Sequence, residues 1–335
     1  MQNQRVVIAA RPAGMVRESD FQLESLPVET MGSDDVLVEV MYLSLDPYMR
    51  GMMRERTPYG DRRPIPIGGS MIGEGVGRVA RSNSPQLSTG DIVAGPFGWQ
   101  SVAVSKADKC RKVDLSLGPV TTALGVLGMP GLTAYFGLIE ICHPRSGETV
   151  FISGAAGAVG SCAGQIAKVL GCRVVGSAGS DEKVAKLTSD YRFDAAFNYK
   201  ATTAYEIKLK ELCPNGIDCY FDNVGGAITD AVFQRINTGA RISICGQISI
   251  YNDEPDTAPR WLSQLLVKQA KAEGFLVTKF YPRTAEAIAQ LASWIRAGKV
   301  KYEETIVEGL ENAPKAFMGM FQGENRGKLL VKIRD

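Results

Sequence analysis

Residues 148–187, ETVFISGAAGAVGSCAGQIAKVLGCRVVGSAGSDEKVAKL, decide the fold that the sequence predicts. The segment 149–153 is rich in β-branched and aromatic residues, which is typical of a buried strand. After a Gly/Ala turn, apolar residues recur at helical spacing as far as Leu170, and a second apolar run covers 172–177. We interpret the stretch as a strand, a helix and a second strand, which together form one βαβ unit.

The turn of this unit carries a dinucleotide-binding fingerprint of the form AxGxxG, with Ala155 in the place of the usual first glycine. In such a turn Gly157 lets the backbone approach a pyrophosphate, and Gly160 lets the helix pack against the strand. The N–H groups at the helix N-terminus face the phosphates. A plain βα turn is the alternative, but the order of strand, helix and strand favours a cofactor site.

The end of the second strand indicates which dinucleotide binds. Enzymes that use NAD(H) usually place an acid there for the ribose 2′-hydroxyl, and residues 176–180 contain none. Asp181 and Glu182 follow Ser180, so helix capping explains them. Lys183 is then placed to meet a 2′-phosphate; an exposed helix lysine is the alternative interpretation. We therefore expect NADP(H) rather than NAD(H).

Composition limits the remaining possibilities. The chain has 335 residues, 45% of them apolar and 22% charged, and a net charge of +2, so we expect two domains and no nucleic-acid partner. Seven scattered cysteines indicate reduced thiols in the cytoplasm. The first residues lack the apolar stretch of a signal peptide. The uncharged stretch 115–139 contains two prolines and five glycines, which predicts a kinked connector rather than a membrane span.

The pattern along the chain predicts an α/β protein with two domains. Residues 1–115 contain short β-branched runs separated by Gly, Pro, Asp and Ser, and the glycines of GEGVGRV predict bulges or close backbone approach in a small barrel. Strands and helices alternate from about residue 120 and end with a helix near 260–271 and a strand at 274–277, which predicts a doubly wound parallel sheet. The final apolar run, 329–333, is expected to rejoin the first domain. We therefore predict a mainly-β domain (1–120 with 300–335) and a Rossmann domain (121–299).

The active site is expected in the cleft between the domains. The single histidine, His143, precedes a proline and is interpreted as a loop residue, and no closely spaced cysteine quartet exists for zinc. Tyr251 follows a strand in CGQISIYN, and Tyr48 lies in LDPYMR; either phenol can donate a hydrogen bond to a carbonyl oxygen. The loop with Arg50, Arg54, Arg56, Arg62 and Arg63 is either solvated or contacts an anionic substrate.

Motifs along nearly the whole chain resemble one family. They are LSLDPYMRG, MPGLTAYFGL, GAAGAVGS, SDEKVAKL, FNYK, YFDNVGG, CGQISIYN and GENRGKLLVK. The chain resembles the zinc-independent medium-chain reductases, within the group of prostaglandin reductase / leukotriene B4 12-hydroxydehydrogenase, 2-alkenal reductases and curcumin reductases. The places of the zinc motifs of other members are occupied by LSLDPY and GGSMIGEG.

The resemblance implies an NADPH-dependent reductase of α,β-unsaturated ketones and aldehydes, with a GroES-like barrel before the Rossmann domain, often as a homodimer. Tyr251 would be the residue most tied to turnover, with Tyr48 supporting the substrate carbonyl. The implied cofactor contacts are Thr133, Gly157, Ala158, Val159, Gly160, Lys183, Tyr199, Asn223, Cys245, Gly246, Tyr251, Phe275, Leu276, Val277 and Asn325.

We therefore expect hydride transfer from NADPH to the β-carbon of an enone or enal, followed by protonation of the enolate. A quinone or allylic-alcohol oxidoreductase is a second enzymatic interpretation. A catalytically idle NADPH-binding protein is a third one, from a different class.

Overall fold

The computed structural model describes residues 1–59, 63–252 and 261–335. Within them the strands are β1 Gln2–Ile8, β2 Phe21–Pro27, β3 Asp35–Ser44, β4 Gly75–Ser82, β5 Ile92–Gly95, β6 Val102–Lys106, β7 Arg111–Lys112, β8 Thr149–Ile152, β9 Arg173–Ala178, β10 Ala195–Asn198, β11 Ile217–Asp222, β12 Ile236–Ile244, β13 Lys271–Gly274, β14 Glu304–Glu308 and β15 Lys328–Lys332. The α-helices are α1 Met49–Met52, α2 Met129–Phe136, α3 Ala158–Val169, α4 Asp181–Ser189, α5 Tyr205–Leu212, α6 Gly226–Phe233, α7 Leu262–Val267, α8 Thr284–Arg296 and α9 Ala313–Gln322.

The chain divides into two compact units. Unit 1 comprises Met1–Gly125, Glu304–Asn325 and Leu329–Asp335, and unit 2 comprises Val126–Glu303 and Arg326–Lys328. The sequence placed the boundaries at residues 120/121 and 299/300. The 3-10 segment that follows residue 119 belongs to unit 1, because its residues pack in a small apolar cluster with side chains of β4, β5 and β15.

Unit 1 is mainly β. In the described residues its larger sheet has the order β14-β15-β3-β4-β5-β7, with β6 also pairing with β3, and β1 and β2 form a separate antiparallel pair. The predicted bulges are present, since the register of β3 and β4 shifts twice. Gly77 is required in β4 because a Cβ there would lie 2.2 Å from the carbonyl oxygen of Glu39. The last strand, β15, pairs with β3 as expected.

Unit 2 contains the predicted doubly wound sheet. The described strands have the order β10-β9-β8-β11-β12-β13, and every pair is parallel. The order reverses between β8 and β11, which is the switch point where such sheets bind ligands at the carboxyl ends of their strands. Strand β8 is buried throughout because helices cover both faces of a sheet of this kind.

The uncharged stretch 115–139 is broken as predicted. Its described pieces are two 3-10 turns and α2, which continues into a π-helical segment, Gly137–Cys142. Among the described residues, no helix combines the length and the apolar character that crossing a membrane requires.

Some elements differ from the prediction. The last strand of unit 2 was expected at 274–277 but is β13, Lys271–Gly274, whose charged side chains suit an exposed sheet edge. The apolar run after it instead enters a 3-10 segment, Val277–Arg283. The helix expected at 260–271 is described only as α7, and Arg260 lies outside the described residues. The sequence also did not predict β2, β14 and α9.

Candidate functional site

The fingerprint turn joins β8 to α3, and its two glycines differ in how closely the rest of the protein packs against them. A Cβ on Gly160 would lie 2.4 Å from the carbonyl oxygen of Gly154, so only glycine lets the helix pack this closely on the turn. A Cβ on Gly157, the N-cap of α3, would meet only that same oxygen, at an ordinary 3.4 Å. Packing within the protein therefore does not require glycine at position 157, whereas a close approach of the protein backbone to a cofactor pyrophosphate would require it. The turn fits a dinucleotide.

A second segment of the chain is attached to this turn. Gly327 forms a parallel β-bridge with Gly157, and the N–H of Lys328 donates to the carbonyl oxygen of Glu303 at 2.8 Å. Gly327 has φ 59°, and a Cβ there would lie 2.0 Å from the same Glu303 oxygen. The segment 326–328 is thus held against the fingerprint, whereas Asn325, which the sequence also assigned to the cofactor, belongs to unit 1.

The carboxyl ends of β9 and β10 carry the residues expected at the 2′-phosphate. The Ser180 side chain accepts a hydrogen bond from the N–H of Lys183 at 3.3 Å, so it caps α4 as predicted. The pKa of the half-buried Lys183 is lowered by burial and then by the positive charges of Lys200 and Arg326. Tyr199 lies beside them, with its phenol 3.0 Å from the position that a Cβ on Gly179 would occupy. The structure therefore brings Lys183 and Tyr199 to one end of the sheet.

At the end of β11, the buried carboxylate of Asp222 organises the neighbouring loops, a role that was not predicted from the sequence. The side chain is 1% exposed, and its donors lie between 2.8 and 3.1 Å. They are the side chains of Ser153, Tyr220, Thr229 and Gln247 and the N–H groups of Val224 and Gly225. A buried charge needs such compensation. The signal in the sequence was an acid at a strand end followed by a Gly-Gly turn.

The same strand end positions three of the predicted cofactor contacts. The N–H groups of Cys245 and Gly246 both donate to the carbonyl oxygen of Asp222, at 2.9 and 3.0 Å. The Asn223 amide donates to the carbonyl oxygen of Ser153 at 2.8 Å. Asn223, Cys245 and Gly246 are therefore held together where β8, β11 and β12 end.

Tyr251 folds back onto this loop. It follows the 3-10 turn Ile248–Ile250, and its phenolic oxygen accepts a hydrogen bond from the N–H of Gln247 at 3.2 Å. Since Gln247 also donates its side-chain amide to Asp222 at 3.0 Å, the phenol and the buried carboxylate are linked through one residue. The loop that carries Tyr251 is thereby tied to the carboxyl ends of the sheet.

The remaining unit 2 candidates lie on separate elements. Phe275 packs against Gly137, where a Cβ would come within 2.4 Å of its ring, and Leu276 is half exposed. Val277 begins the 3-10 segment after β13. The hydroxyl of the buried Thr133 donates to the carbonyl oxygen of Met129 within α2, at 2.7 Å.

The candidates of unit 1 lie in α1 or close to it in sequence. Tyr48 precedes the helix and packs edge-to-face on Tyr59, with ring centroids 6.3 Å apart. Arg50 is not solvated, which was one of the two interpretations of this basic loop. It is 1% exposed and donates to the carbonyl oxygen of Gly14 at 2.9 Å. Arg54 is half-buried, Arg56 and Arg63 are exposed, and Arg62 lies outside the described residues.

His143 ends the π-helical segment in a left-handed conformation, φ 43°, and is exposed, as expected for a loop residue. In residues 1–59, 63–252 and 261–335, no group of three or more His, Cys, Asp or Glu side chains is arranged to hold a metal ion. Desolvation raises the pKa of the Cys245 thiol to about 12, with the charge of Asp222 as a smaller cause.

Comparison with known proteins places the chain in a family. Residues 4–113 match the family described as the N-terminal domain of oxidoreductase, and residues 158–294 match the family described as zinc-binding dehydrogenase. A putative NADP-dependent oxidoreductase of Bacillus subtilis is 47% identical over 99% of this chain and 98% of its own. The NADPH-dependent curcumin reductase of Escherichia coli is 42% identical, with 99% and 97% covered. Bovine prostaglandin reductase 1 is 43% identical, with 95% of each covered.

A solved structure agrees with these relatives. The chain superposes on CurA from Vibrio vulnificus in complex with NADPH with a TM-score of 0.94, at 40% identity and with 99% of each chain covered. The chain belongs to the medium-chain dehydrogenase/reductase family, in the zinc-independent group that contains the prostaglandin and curcumin reductases. The family and the fold class predicted from the sequence are confirmed.

Proposed function

We propose that this protein reduces the carbon–carbon double bond of α,β-unsaturated ketones and aldehydes. The observation that supports this most is the position of Tyr251. Its phenol lies in the loop after β12, at the carboxyl ends of the strands, where ligands bind in this fold. The curcumin and prostaglandin reductases among its relatives support a reductase.

The cofactor is NADP(H), as the sequence predicts and as the NADP-dependent relatives support. When bound, NADPH supplies the hydride that is added to the β-carbon of the substrate. On this proposal, the pyrophosphate lies at Gly157, Ala158, Val159 and Gly160 and the 2′-phosphate lies at Lys183. Further contacts are proposed for Thr133, Tyr199, Asn223, Cys245, Gly246, Phe275, Leu276, Val277 and Asn325.

The role proposed for Tyr251 is to donate a hydrogen bond to the substrate carbonyl oxygen, which gains negative charge as the hydride adds. The hydrogen bond that its oxygen accepts from Gln247 polarises the phenol and makes it a stronger donor. A preoriented donor stabilises such an oxyanion because little reorganisation is needed during the reaction. The enolate is then protonated at the α-carbon. Tyr48 is proposed to support the same carbonyl group.

The experiment is a product analysis with purified protein. Each enone or enal is incubated with NADPH beside its saturated counterpart, and NADPH absorbance and the product are measured. We expect NADPH to be consumed only with the unsaturated compound, and the product to be the saturated carbonyl compound. A product that is an alcohol, turnover with quinones alone, or cofactor binding without any turnover contradicts the proposal.

A further inference from the structure

Three basic side chains from distant parts of the sequence meet at the first turn of α4. Lys183 belongs to the helix itself, Lys200 follows β10, and Arg326 belongs to the segment held against the fingerprint. Of the three, only the lysine of the helix was predicted from the sequence to meet the 2′-phosphate.

Contacts of neighbouring residues place Lys200 and Arg326 near Lys183. Asn198 donates its amide to the Asp181 carboxylate at 2.8 Å and accepts from the N–H of Lys200 at 3.0 Å, which places residue 200 beside the helix. Arg326 forms an ion pair with Glu182 at 2.5 Å. The influence of Lys200 and Arg326 on the pKa of Lys183 is consistent with this proximity.

The acidic side chains of this region differ in their partners and in their exposure to solvent. Glu303 pairs with Lys186 at 2.7 Å, and Asp181 accepts from Asn198. Glu182 is 68% exposed and its partner Arg326 is 51% exposed, so this ion pair is largely solvated. A solvated pair contributes little free energy and is readily exchanged.

The geometry points to Arg326 as a further residue that selects NADP(H), exchanging its ion pair with Glu182 for the 2′-phosphate of the cofactor beside Lys183 and Lys200. This inference rests on the proposed function. Arginine suits the role because its planar guanidinium can make two parallel hydrogen bonds to phosphate oxygens. Its backbone is already placed, since the bridge between Gly327 and Gly157 fixes the next residue against the fingerprint.

Glu182 opposes binding of the 2′-phosphate. Its carboxylate competes with the phosphate for the guanidinium and repels the incoming anion. Removing the charge of Glu182 should therefore tighten binding, whereas removing that of Arg326 should weaken it. A purely structural role of the ion pair would make both substitutions weaken binding.

The test uses two nucleotides that differ only by the 2′-phosphate, adenosine 2′,5′-bisphosphate and adenosine 5′-monophosphate, in calorimetric titrations of the full chain. We expect R326Q to weaken the bisphosphate about tenfold and leave the monophosphate unchanged, since a charge-assisted hydrogen bond of this strength is lost. E182Q should tighten the bisphosphate by about two- to fivefold. The control is Lys210→Gln, which removes an exposed cation of α5 and should change neither affinity.

Unchanged bisphosphate affinity in R326Q, or equal weakening of both nucleotides, overturns the role of Arg326, and so does weaker bisphosphate binding in E182Q. Equal affinity of the unsubstituted protein for the two nucleotides overturns the assignment of NADP(H) itself and the role of Arg326 with it. The two failures are thus distinguishable.

Discussion

At the scale of single residues, the phenol of Tyr251 has two tasks in the proposed reaction. Its oxygen accepts from the N–H of Gln247, and its O–H would donate to the substrate. Tyr251→Phe removes the hydroxyl and preserves the ring. We expect kcat to fall about 100-fold, as for loss of one oxyanion donor, with the Kd of NADPH nearly unchanged. Steady-state kinetics at saturating substrate and a fluorescence titration of NADPH measure the two quantities.

The matched control is Tyr42→Phe, which removes a phenol from β3 in unit 1 and should leave kcat unchanged. If Tyr251→Phe retains full kcat, Tyr251 is not the donor to the carbonyl oxygen. Tyr48→Phe then becomes the decisive variant, because Tyr48 is the second proposed phenol.

At the scale of elements, the two glycines of the turn between β8 and α3 are expected to serve different purposes. Gly160 is needed for packing, and Gly157 for binding of the cofactor. Gly160→Ala places a Cβ 2.4 Å from the carbonyl oxygen of Gly154, and we expect a loss of about 1–3 kcal/mol in the free energy of unfolding. In Gly157→Ala the new Cβ makes only an ordinary contact. We therefore expect the free energy of unfolding to fall by at most about 1 kcal/mol, because the N-cap residue changes. Its NADPH affinity should nevertheless fall at least tenfold, by about 1.4 kcal/mol.

Thermal unfolding and NADPH titration of the two variants measure these effects. Gly274→Ala, where a Cβ would lie in open space at the end of β13, controls for the substitution itself. Unimpaired NADPH binding by Gly157→Ala would show that the turn does not approach the cofactor closely.

At the scale of the whole molecule, buried thiols make stability depend on alkaline pH. Burial raises the pKa from 9.0 to about 12 for Cys162 and to about 11 for both Cys172 and Cys213. In the unfolded chain these thiols lose their protons near pH 9, whereas the folded protein retains them. Their contribution to stability is therefore complete below pH 9 and is lost as pH rises from about 9 to about 12.

We expect the melting temperature to fall steadily between pH 9 and pH 11. Cys162→Ala should flatten this dependence, because it removes one of the shifted groups, although its cavity lowers stability at every pH. Melting curves at pH 7, 9, 10 and 11 measure both effects. An equal pH slope in the variant and the parent protein would show that Cys162 does not contribute.

Much of unit 2 was predictable because its signals are local. The strand β8, the helix α3 and the Ser180 cap of α4 each depend on residues a few positions apart. The edge strand β13 was misplaced because its sequence, KAEG, is charged, and its pairing with β12 rather than its composition makes it a strand. Edge strands of this kind carry little hydrophobic pattern.

The sequence by itself determined the family, the parallel sheet, the choice of NADP(H) and two candidate phenols, since periodicity, glycine spacing and a missing acid are all visible along the chain. Only the tertiary structure decided that Arg50 is buried, that Asp222 accepts hydrogen bonds from four segments of the chain and that Arg326 lies beside α4. These facts depend on contacts between residues far apart in sequence. Burial and charge compensation are properties of the folded neighbourhood, and no local pattern encodes them.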